Sequence, residues 1–450
     1  MGTATMNKNA SNAAREDDQL IIQESDDPDH HGEGYGVCIA TVFNIAAIAG
    51  TGILVLPNAL ANTGWSGLAV LVTLAIIQLY TGIILGRCWS LLQERFEIYR
   101  QQTRYPYAAI GYEAFGKIGR IIVTVTINTT LLCICVVLLL IISENVMILL
   151  NIHDLNHCIM MAIIVILLCP FSWLGTPKDF WQVAVCGAVT TGLSCLLLLV
   201  SIARNIPHAD VAKLSYRAPS FASYFSGVGI MVMAFNGHPT FLTIQHDMRN
   251  PEQYPHSLLL TALVVGLYFL PLSTVAYYTH GRSLADKENI FQIVVEGVDR
   301  TISLALITLH VISAFIIYGN PLFQEIEELI GIPLHFSWKR LGIRTLLMAF
   351  IWFLAASVNS FANLISLMGG TTLIALALVY PICFYWRLRH TKSTTNLWEP
   401  QYLSIMEKIF FTSILILAVF IAISTTYANL SSYGKGLQLN FTRPCYLPEF

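Results

Sequence analysis

The chain has 450 residues, of which 55% are hydrophobic and only 12% are charged. Soluble domains carry about 25% charged residues, so this composition excludes an ordinary soluble protein and favours one embedded in lipid. The formal net charge of −2 leaves no basic surface for nucleic acid. The ten cysteines form no CxxC pair and no cluster with zinc-ligand spacing, so we expect neither a metal site nor a cofactor.

The first segment, residues 1–34, is polar and acidic and is predicted to be a disordered cytosolic tail. Within it, Glu16 stands four positions before the pair Leu20 and Ile21, which is the spacing of an acidic dileucine sorting signal. Clathrin-adaptor proteins bind such signals, so the motif favours an endosomal, lysosomal or vesicular membrane over the plasma membrane. The alternative is a chance match in an acidic tail.

Eleven apolar runs fill residues 35–430, which we interpret as the transmembrane domain. A helix needs about 20 apolar residues to cross the hydrocarbon core of a bilayer, and backbone groups inside lipid must pair within the helix. The predicted spans are 35–63, 65–93, 119–149, 158–175, 180–203, 221–244, 257–280, 301–322, 341–357, 360–386 and 404–428. Residues 95–118 are polar and aromatic and predict an interfacial helix between the second and third spans.

The distribution of Lys and Arg predicts the orientation. With the N-terminus in the cytosol, the cytosolic side carries roughly twice as many basic residues as the other side. Eleven spans then leave residues 431–450 as a short lumenal or extracellular tail. Asn440 begins an Asn-Phe-Thr sequon there and is a candidate for glycosylation. Cys158 and Cys445 share that oxidising side, which permits a disulfide between them, although the sequence does not bring them together.

Helix-breaking residues occur in the first and the sixth spans. Gly50 and Gly52 flank a threonine near mid-membrane, and Pro239 follows a glycine in the sixth span. Eleven spans divide into five, five and one, so these two spans open the two halves, where interrupted helices mark the binding site of inverted-repeat transporters. The alternative is tight helix packing, because Gly and Pro are frequent in membrane helices.

Interrupted helices expose N–H groups that bind a carboxylate and carbonyl groups that bind an ammonium, so the pair of breaks suits a zwitterionic amino acid. The predicted substrate-binding residues are Ala49, Gly50, Thr51, Gly52, Phe235, Asn236 and Gly237.

Three ionisable residues inside predicted spans are candidates for proton coupling, because such residues are costly in lipid. His238 lies in the sixth-span break, and its alternative role is to order that break as a neutral hydrogen-bonding group. Glu144 lies near the outer end of the third span and alternatively faces the wet interface. His310 lies in the middle of the eighth span and alternatively makes an interhelical hydrogen bond.

These motifs resemble the amino acid/auxin permease family over nearly all of residues 35–430. The matching segments are Asn44 to Pro57, Phe235 to Pro239 with Asp247 to Pro251, and Ser366 to Thr372 with Tyr380 and Pro381. The Gly-His pair at 237 and 238 is most similar to the vacuolar and the vesicular inhibitory amino-acid transporters.

The resemblance implies a leucine-transporter-type fold, with a 5+5 inverted repeat of helices plus one extra helix. It implies transport of amino acids, often coupled to protons. Some relatives couple sodium through two adjacent hydroxyl residues on the eighth span, whereas Ser303, Thr308 and Ser313 are isolated here.

The sequence as a whole predicts a secondary active transporter that moves amino acids across a lipid bilayer by alternating access, with H+ as the coupling ion. An enzyme is not expected, because the chain has no G-x-S-x-G elbow, no P-loop and no HExxH motif. Two alternatives stay open: an amino-acid sensor that uses the same pocket, and a sodium-coupled amino-acid symporter.

Overall fold

The computed structural model describes residues 34–100, 105–152, 155–173, 180–204, 206, 214–216, 220–235, 237–332, 337–358, 360–391 and 399–434, with side chains omitted for 180–184 and 432–434. Several predicted functional residues lie outside the described residues: Glu16, Leu20 and Ile21 of the sorting signal, Asn236 of the substrate site, Asn440 and Cys445.

The described part of the chain is almost entirely helical. In chain order, the helices are α1 (Val37–Thr63), α2 (Ser66–Arg95), α3 (Pro106–Leu150), α4 (His157–Trp173), α5 (Phe180–Arg204), α6 (Phe221–Ala234), α7 (His238–His246), α8 (Tyr254–His280), α9 (Val298–Leu329), α10 (Trp338–Ser357), α11 (Phe361–Gly370), α12 (Thr372–Ile374), α13 (Tyr380–His390) and α14 (Ile405–Gly434). A π-helical turn, Ala375–Val379, joins α12 to α13. One isolated backbone bridge links Tyr35 to Met248.

Nine helical segments in the described residues are long and apolar enough to cross a membrane. One of them, Phe361–His390, combines α11, α12, the π-helical turn and α13. The shorter apolar helix α4 and the pair α6 and α7 occupy the two remaining positions of the eleven predicted spans. The all-helical membrane architecture agrees with the prediction, and two of its spans are shorter or interrupted.

Successive spans run in opposite directions, so the bundle has two distinct faces. At the face where α1 begins, Arg95 Nη1 at the end of α2 donates to Leu388 O near the end of α13, at 2.7 Å. We call this surface the N-terminal face. At the other surface, which we call the far face, Asn58 of α1 contacts residues that follow α8.

The predicted interfacial helix before the third span is the first part of α3. This helix starts with Pro106, whose fixed φ suits a first helical position. Gly116 then takes φ 68° and ψ −157°, which kinks the helix before it continues into the membrane. Only glycine adopts that backbone conformation without steric cost.

The interruption of the sixth span is confirmed. Helix α6 ends at Ala234, and α7 begins at His238 with Gly237 as its N-cap residue. Pro239 lies in the first turn of α7, where a backbone N–H has no acceptor within the helix. The missing N–H of proline therefore costs no hydrogen bond there.

The predicted interruption of the first span is wrong, because α1 is a continuous helix through Ala49, Gly50, Thr51 and Gly52. A glycine in a helix costs about 1 kcal/mol relative to alanine, which surrounding contacts can offset. A Cβ added to Gly52 would lie 2.5 Å from Phe269 Cζ, and one added to Gly50 would overlap the His310 imidazole. The two glycines therefore allow close packing, which was the alternative interpretation.

Candidate functional site

A cavity of about 370 Å³ extends from the middle of the bundle toward the N-terminal face. Its walls come from five helices and from Tyr105 before α3. The lining residues are Phe43, Ala46 and Ala47 of α1; Pro106, Tyr107, Ala108, Thr124, Ile127 and Leu131 of α3; Gly187 of α5; Pro239, Thr240, Thr243 and Ile244 of α7; and His310, Ser313, Ala314, Ile317, Tyr318, Pro321, Gln324 and Glu325 of α9. This volume is in the usual range of small-molecule sites, about 300–1,000 Å³.

His310 lies at the deep end of this cavity, with 4% of its surface exposed. Its ring fits between two glycines on neighbouring helices. A Cβ on Gly50 of α1 would overlap the ring, and a Cβ on Gly187 of α5 would lie 2.8 Å from Nδ1. Nδ1 faces the backbone of Gly187. Two positions without side chains thus make room for the imidazole in the core of the bundle.

The predicted substrate residues of α1 lie partly at this point. Gly50 and Thr51 line a small void of about 20 Å³ that also touches His310 and Met233. Ala49 and Gly52 line neither the cavity nor the void. The cavity touches Ala46 and Ala47 instead, one turn closer to the N-terminal face. Because α1 is continuous, these residues do not present the unpaired backbone groups that the sequence predicted.

The substrate-binding residues predicted in the sixth span make packing and intrahelical contacts instead. Phe235 packs against Phe269 with 5.5 Å between ring centroids, beside the glycine at position 52. Gly237 lies against Ile48 of α1 and Phe241. The Gly237 carbonyl accepts from the N–H groups of Thr240 and Phe241 at 3.0 and 3.1 Å. That carbonyl is therefore occupied within α7, whose first turn borders the cavity through Pro239 and Thr240.

His238 faces α2 and does not line the cavity. It is fully buried, with Nε2 3.3 Å from Thr81 Oγ1. One turn earlier on α2, Gln78 Nε2 donates to the Val232 carbonyl at 3.2 Å, in the last turns of α6. Gln78 and Thr81 thus hold both sides of the interruption. This geometry corresponds to the alternative role of His238 as a residue that orders the break.

Glu144 lies at the far face, away from the cavity. It accepts a hydrogen bond from Gln292 Nε2, which belongs to the loop 281–297 between α8 and α9. The same loop is attached to α3 a second time, because Asn289 Nδ2 donates to Asn145 Oδ1 at 2.8 Å. The structure therefore separates two of the three proton-coupling candidates, His238 and Glu144, from the cavity, and brings His310 to it.

The loop 281–297 is also attached to α1 and α11. Asn58 Nδ2 donates to the carbonyls of Leu284, Ala285 and Lys287 at 3.2, 3.1 and 2.8 Å. Glu288 Oε2 accepts from the Phe361 N–H at 3.0 Å, at the start of α11. Burial raises the pKa of the Glu288 carboxyl above its usual range. Side chains of this loop and of α1 therefore cover the far face above the cavity.

Sequence reasoning missed three tyrosines at the cavity wall. Tyr318 OH donates to the Ala47 carbonyl at 2.8 Å, and Tyr107 OH donates to the Leu376 carbonyl in the π-helical turn at 2.6 Å. Tyr105 OH donates to Glu328 Oε2 at 3.0 Å. A signal for part of this wall exists in the sequence. The cavity-lining residues of α9 follow helical spacing along one side of that helix: His310, Ser313, Ile317, Tyr318, Pro321, Gln324 and Glu325.

A buried ion cluster near the N-terminal face was also not predicted. Glu327 of α9 is fully buried, and both its carboxylate oxygens are engaged by Arg340 and Arg344 of α10. Arg344 Nη1 also donates to the Ser172 carbonyl of α4. The cluster joins α4, α9 and α10 on the side of α9 away from the cavity.

Cys158, in the first turn of α4, is disulfide-bonded, whereas the other eight described cysteines are free thiols. Cys445 lies outside the described residues, so its pairing with Cys158 stays a prediction. No group of three or more His, Cys, Asp or Glu residues that could hold a metal occurs in the described part of the chain.

A membrane-crossing helical bundle, with a cavity reaching its core from one face and an interrupted span beside that cavity, has the architecture of a membrane transport protein. The chain belongs to the transmembrane amino acid transporter protein family, whose sequence pattern matches residues 33–427. This membership confirms the predicted family resemblance. It also confirms that the chain is not an enzyme, since the family is one of transporters.

Similar proteins include two from Arabidopsis thaliana. "Amino acid transporter AVT1C" is 24% identical over 85% of this chain and 69% of its own length. "Lysine histidine transporter-like 4" is 24% identical over 76% of this chain and 78% of its own length. The solved structure of MhsT, described as a complex with L-phenylalanine, aligns with a TM-score of 0.57 at 12% identity, covering 88% of this chain and 99% of that chain. MhsT has the leucine-transporter-type fold, so the predicted fold class is confirmed.

Proposed function

We propose that this protein is a secondary active transporter of amino acids that works by alternating access and couples transport to H+. One observation carries the proposal: the 370 Å³ cavity leads from the N-terminal face to His310 between Gly50 and Gly187. On the other side of that point, the bundle is packed and covered by the loop 281–297. A site that one face can reach and the other cannot is what one state of an alternating-access carrier requires.

The cavity offers suitable partners for an amino acid. The first turn of α7 borders it through Pro239 and Thr240, and a helix N-terminus carries about half a positive charge that attracts a carboxylate. Apolar walls formed by Phe43, Ile127 and Ile317 suit an uncharged side chain. We infer that the substrate binds between α1, α7 and α9, one turn nearer the N-terminal face than the glycines of α1.

His310 is the proposed coupling group. Imidazole changes its charge near neutral pH more readily than any other side chain. Here the ring lies at the deep end of the cavity, between Gly50 of α1 and Gly187 of α5. Protonation there would change the charge beside the substrate and beside α1. His238 and Glu144 are less suited, because neither lines the cavity.

The test is uptake of radiolabelled amino acids into proteoliposomes that hold the purified protein, with and without an imposed pH gradient. We expect gradient-driven uptake in the wild type and only gradient-independent exchange in His310→Gln. His157→Gln is the matched control, since that histidine starts α4 and does not line the cavity. Uptake indifferent to pH but dependent on Na+ would favour the sodium symporter, and tight binding without flux would favour the sensor.

For location, we propose an endosomal, lysosomal or vesicular membrane with the N-terminus in the cytosol. The support is the dileucine spacing of Glu16, Leu20 and Ile21 and the excess of basic residues on the cytosolic side. Replacing Leu20 and Ile21 by alanine should move the protein to the plasma membrane, whereas Gln19→Ala should leave its location unchanged. Surface labelling of intact cells measures both variants.

A further inference from the structure

The segment that leads into α1 is paired with the segment that follows α7. The Tyr35 N–H donates to the Asp247 carbonyl at 3.0 Å, and the Arg249 N–H donates to the Tyr35 carbonyl at 2.9 Å. These two hydrogen bonds form a parallel bridge between Tyr35 and Met248. The bridge connects, at the N-terminal face, two helices that both contribute residues to the cavity wall.

Two glycines flank Tyr35, and a Cβ added at each would meet different surroundings. A Cβ on Gly34 would lie 2.5 Å from Arg249 N and 2.8 Å from Met248 C. Both are backbone atoms, which cannot rotate aside as a flexible side chain does. A Cβ on Gly36 would meet nothing within 4 Å. The chain at position 34 therefore approaches the partner segment as closely as a residue without a side chain allows.

Tyr35 also reaches the cavity through one further contact. Its ring packs on Phe43 with 5.1 Å between centroids, and Phe43 lines the cavity. On the other side of the bridge, α7 is attached to α2, because Gln245 Nε2 donates to the Gly86 carbonyl at 3.2 Å. Tyr35 therefore stands between the cavity wall of α1 and a helix that is held in place by α2.

We propose that this bridge is a clasp that makes the beginning of α1 and the whole of α7 one continuous wall of the transport cavity, with Tyr35 as the residue that positions Phe43. Only the effect of the clasp on transport rests on the proposed function, whereas the bridge itself does not depend on it. Breaking it should leave the fold intact, because α1 is tied to α8 independently: Thr41 Oγ1 and Asn44 Nδ2 contact Ser257 Oγ at 3.2 and 3.1 Å.

The first arm of the test is hydrogen exchange on the full-length protein, which needs no transport. In Gly34→Ala, the amides of Tyr35 and Arg249 should exchange about tenfold faster, the effect of losing a backbone hydrogen bond. Gly36→Ala should exchange like the wild type. If Gly34→Ala and Gly36→Ala show equal exchange at these two amides, the clasp does not exist, whatever the protein transports.

The second arm is uptake kinetics of the same variants. Tyr35→Ala and Gly34→Ala should raise KM several-fold and leave the maximal rate close to wild type, because the cavity wall is displaced while the cycle is intact. Tyr35→Phe keeps the ring and should restore the wild-type KM. Faster exchange in Gly34→Ala with an unchanged KM would refute the positioning role. Absence of uptake by the wild type would refute the proposed function and leave the exchange result to decide on the clasp.

Discussion

Different kinds of interaction join the helices at the two faces of the bundle. At the far face, hydrogen bonds fix the loop 281–297 to three helices: Asn58 of α1 donates to it, Asn145 of α3 accepts from Asn289, and the Phe361 N–H of α11 donates to Glu288. Near the N-terminal face, α4, α9 and α10 are joined by Glu327 and two arginines, all buried. A neutral hydrogen bond contributes only about 1 kcal/mol, whereas removing one partner of a buried ion cluster costs about 3–5 kcal/mol. The far-face hydrogen bonds can therefore break one at a time at a small cost each, whereas the ion cluster loses its stabilisation when any one partner is removed.

A second contrast lies directly beneath the loop. Toward the far face, Phe269 packs on Gly52 and Phe235, so aromatic rings fill the space beside this glycine of α1. Toward the N-terminal face, the same helix borders the cavity through Ala46 and Ala47. Along α1, the half nearer the N-terminal face thus borders the cavity, and the half nearer the far face packs against aromatic rings. His310 lies at the boundary where the two halves meet.

The largest effect is expected at the boundary itself, from Gly50→Ala. The added methyl would overlap the His310 ring, which is enclosed by Gly187 on its other side, so either the ring or α1 must move. We expect most of the uptake to be lost while the protein still purifies as a folded particle. Gly266→Ala is the matched control, since a Cβ at that helical position meets nothing within 4 Å. Wild-type uptake by Gly50→Ala would contradict the assignment of this site.

That prediction also indicates how far the sequence alone could lead. The sixth-span break was predictable because Gly237 and Pro239 act through their own backbone. The continuity of the first span was not predictable, since Gly50 and Gly52 receive the rings of His310 and Phe269, which lie more than 200 positions away in the chain. A glycine that permits a turn and a glycine that accepts a distant side chain look alike in one sequence.

The cavity and its cover show the same limit. The polar stripe of α9 has helical spacing and was readable from the sequence, and His310 belongs to it. The loop 281–297 has no periodicity, and its partners Asn58 and Asn145 come from helices far away in the chain. Such contacts depend on how the helices pack, which is why the far-face cover was not predicted.

The second largest effect is expected from Glu327→Ala, in the buried ion cluster that joins α4, α9 and α10. The variant leaves Arg340 and Arg344 buried without their common carboxylate, which costs about 3–5 kcal/mol. We expect a clearly lower thermal unfolding midpoint and a lower yield of folded protein in detergent. The control is Glu296→Ala, because that carboxylate is 88% exposed and pairs with Arg300 at the surface. Equal midpoints for the two variants would show that the cluster contributes no stability.

A smaller and local effect is expected from Asn58→Ala at the far face. One amide that donates to three loop carbonyls is removed, while α1 and α8 keep their other contacts. Amide exchange across residues 284–292 should accelerate several-fold, with no change at the N-terminal face. Asp286→Ala, an exposed position in the same loop, serves as the control. Unchanged exchange in Asn58→Ala would mean that packing, and not this amide, keeps the far face closed.

The smallest effect is a pH dependence of the same cover through Glu288. Burial raises the pKa of its carboxyl in the closed loop, and hydrogen bonds from Ser360 and the start of α11 offset that only in part. In an opened loop the pKa would return toward the ordinary value of about 4.3. The closed form therefore binds a proton more tightly than the open form, so acidification stabilises closure, and that stability is lost as pH rises through the raised pKa. Exchange of residues 284–292, corrected for its intrinsic pH dependence, should slow on acidification in the wild type and much less so in Glu288→Gln. Acceleration on acidification would show instead that the charged carboxylate, through its bond with the Phe361 N–H, is what holds the far face shut.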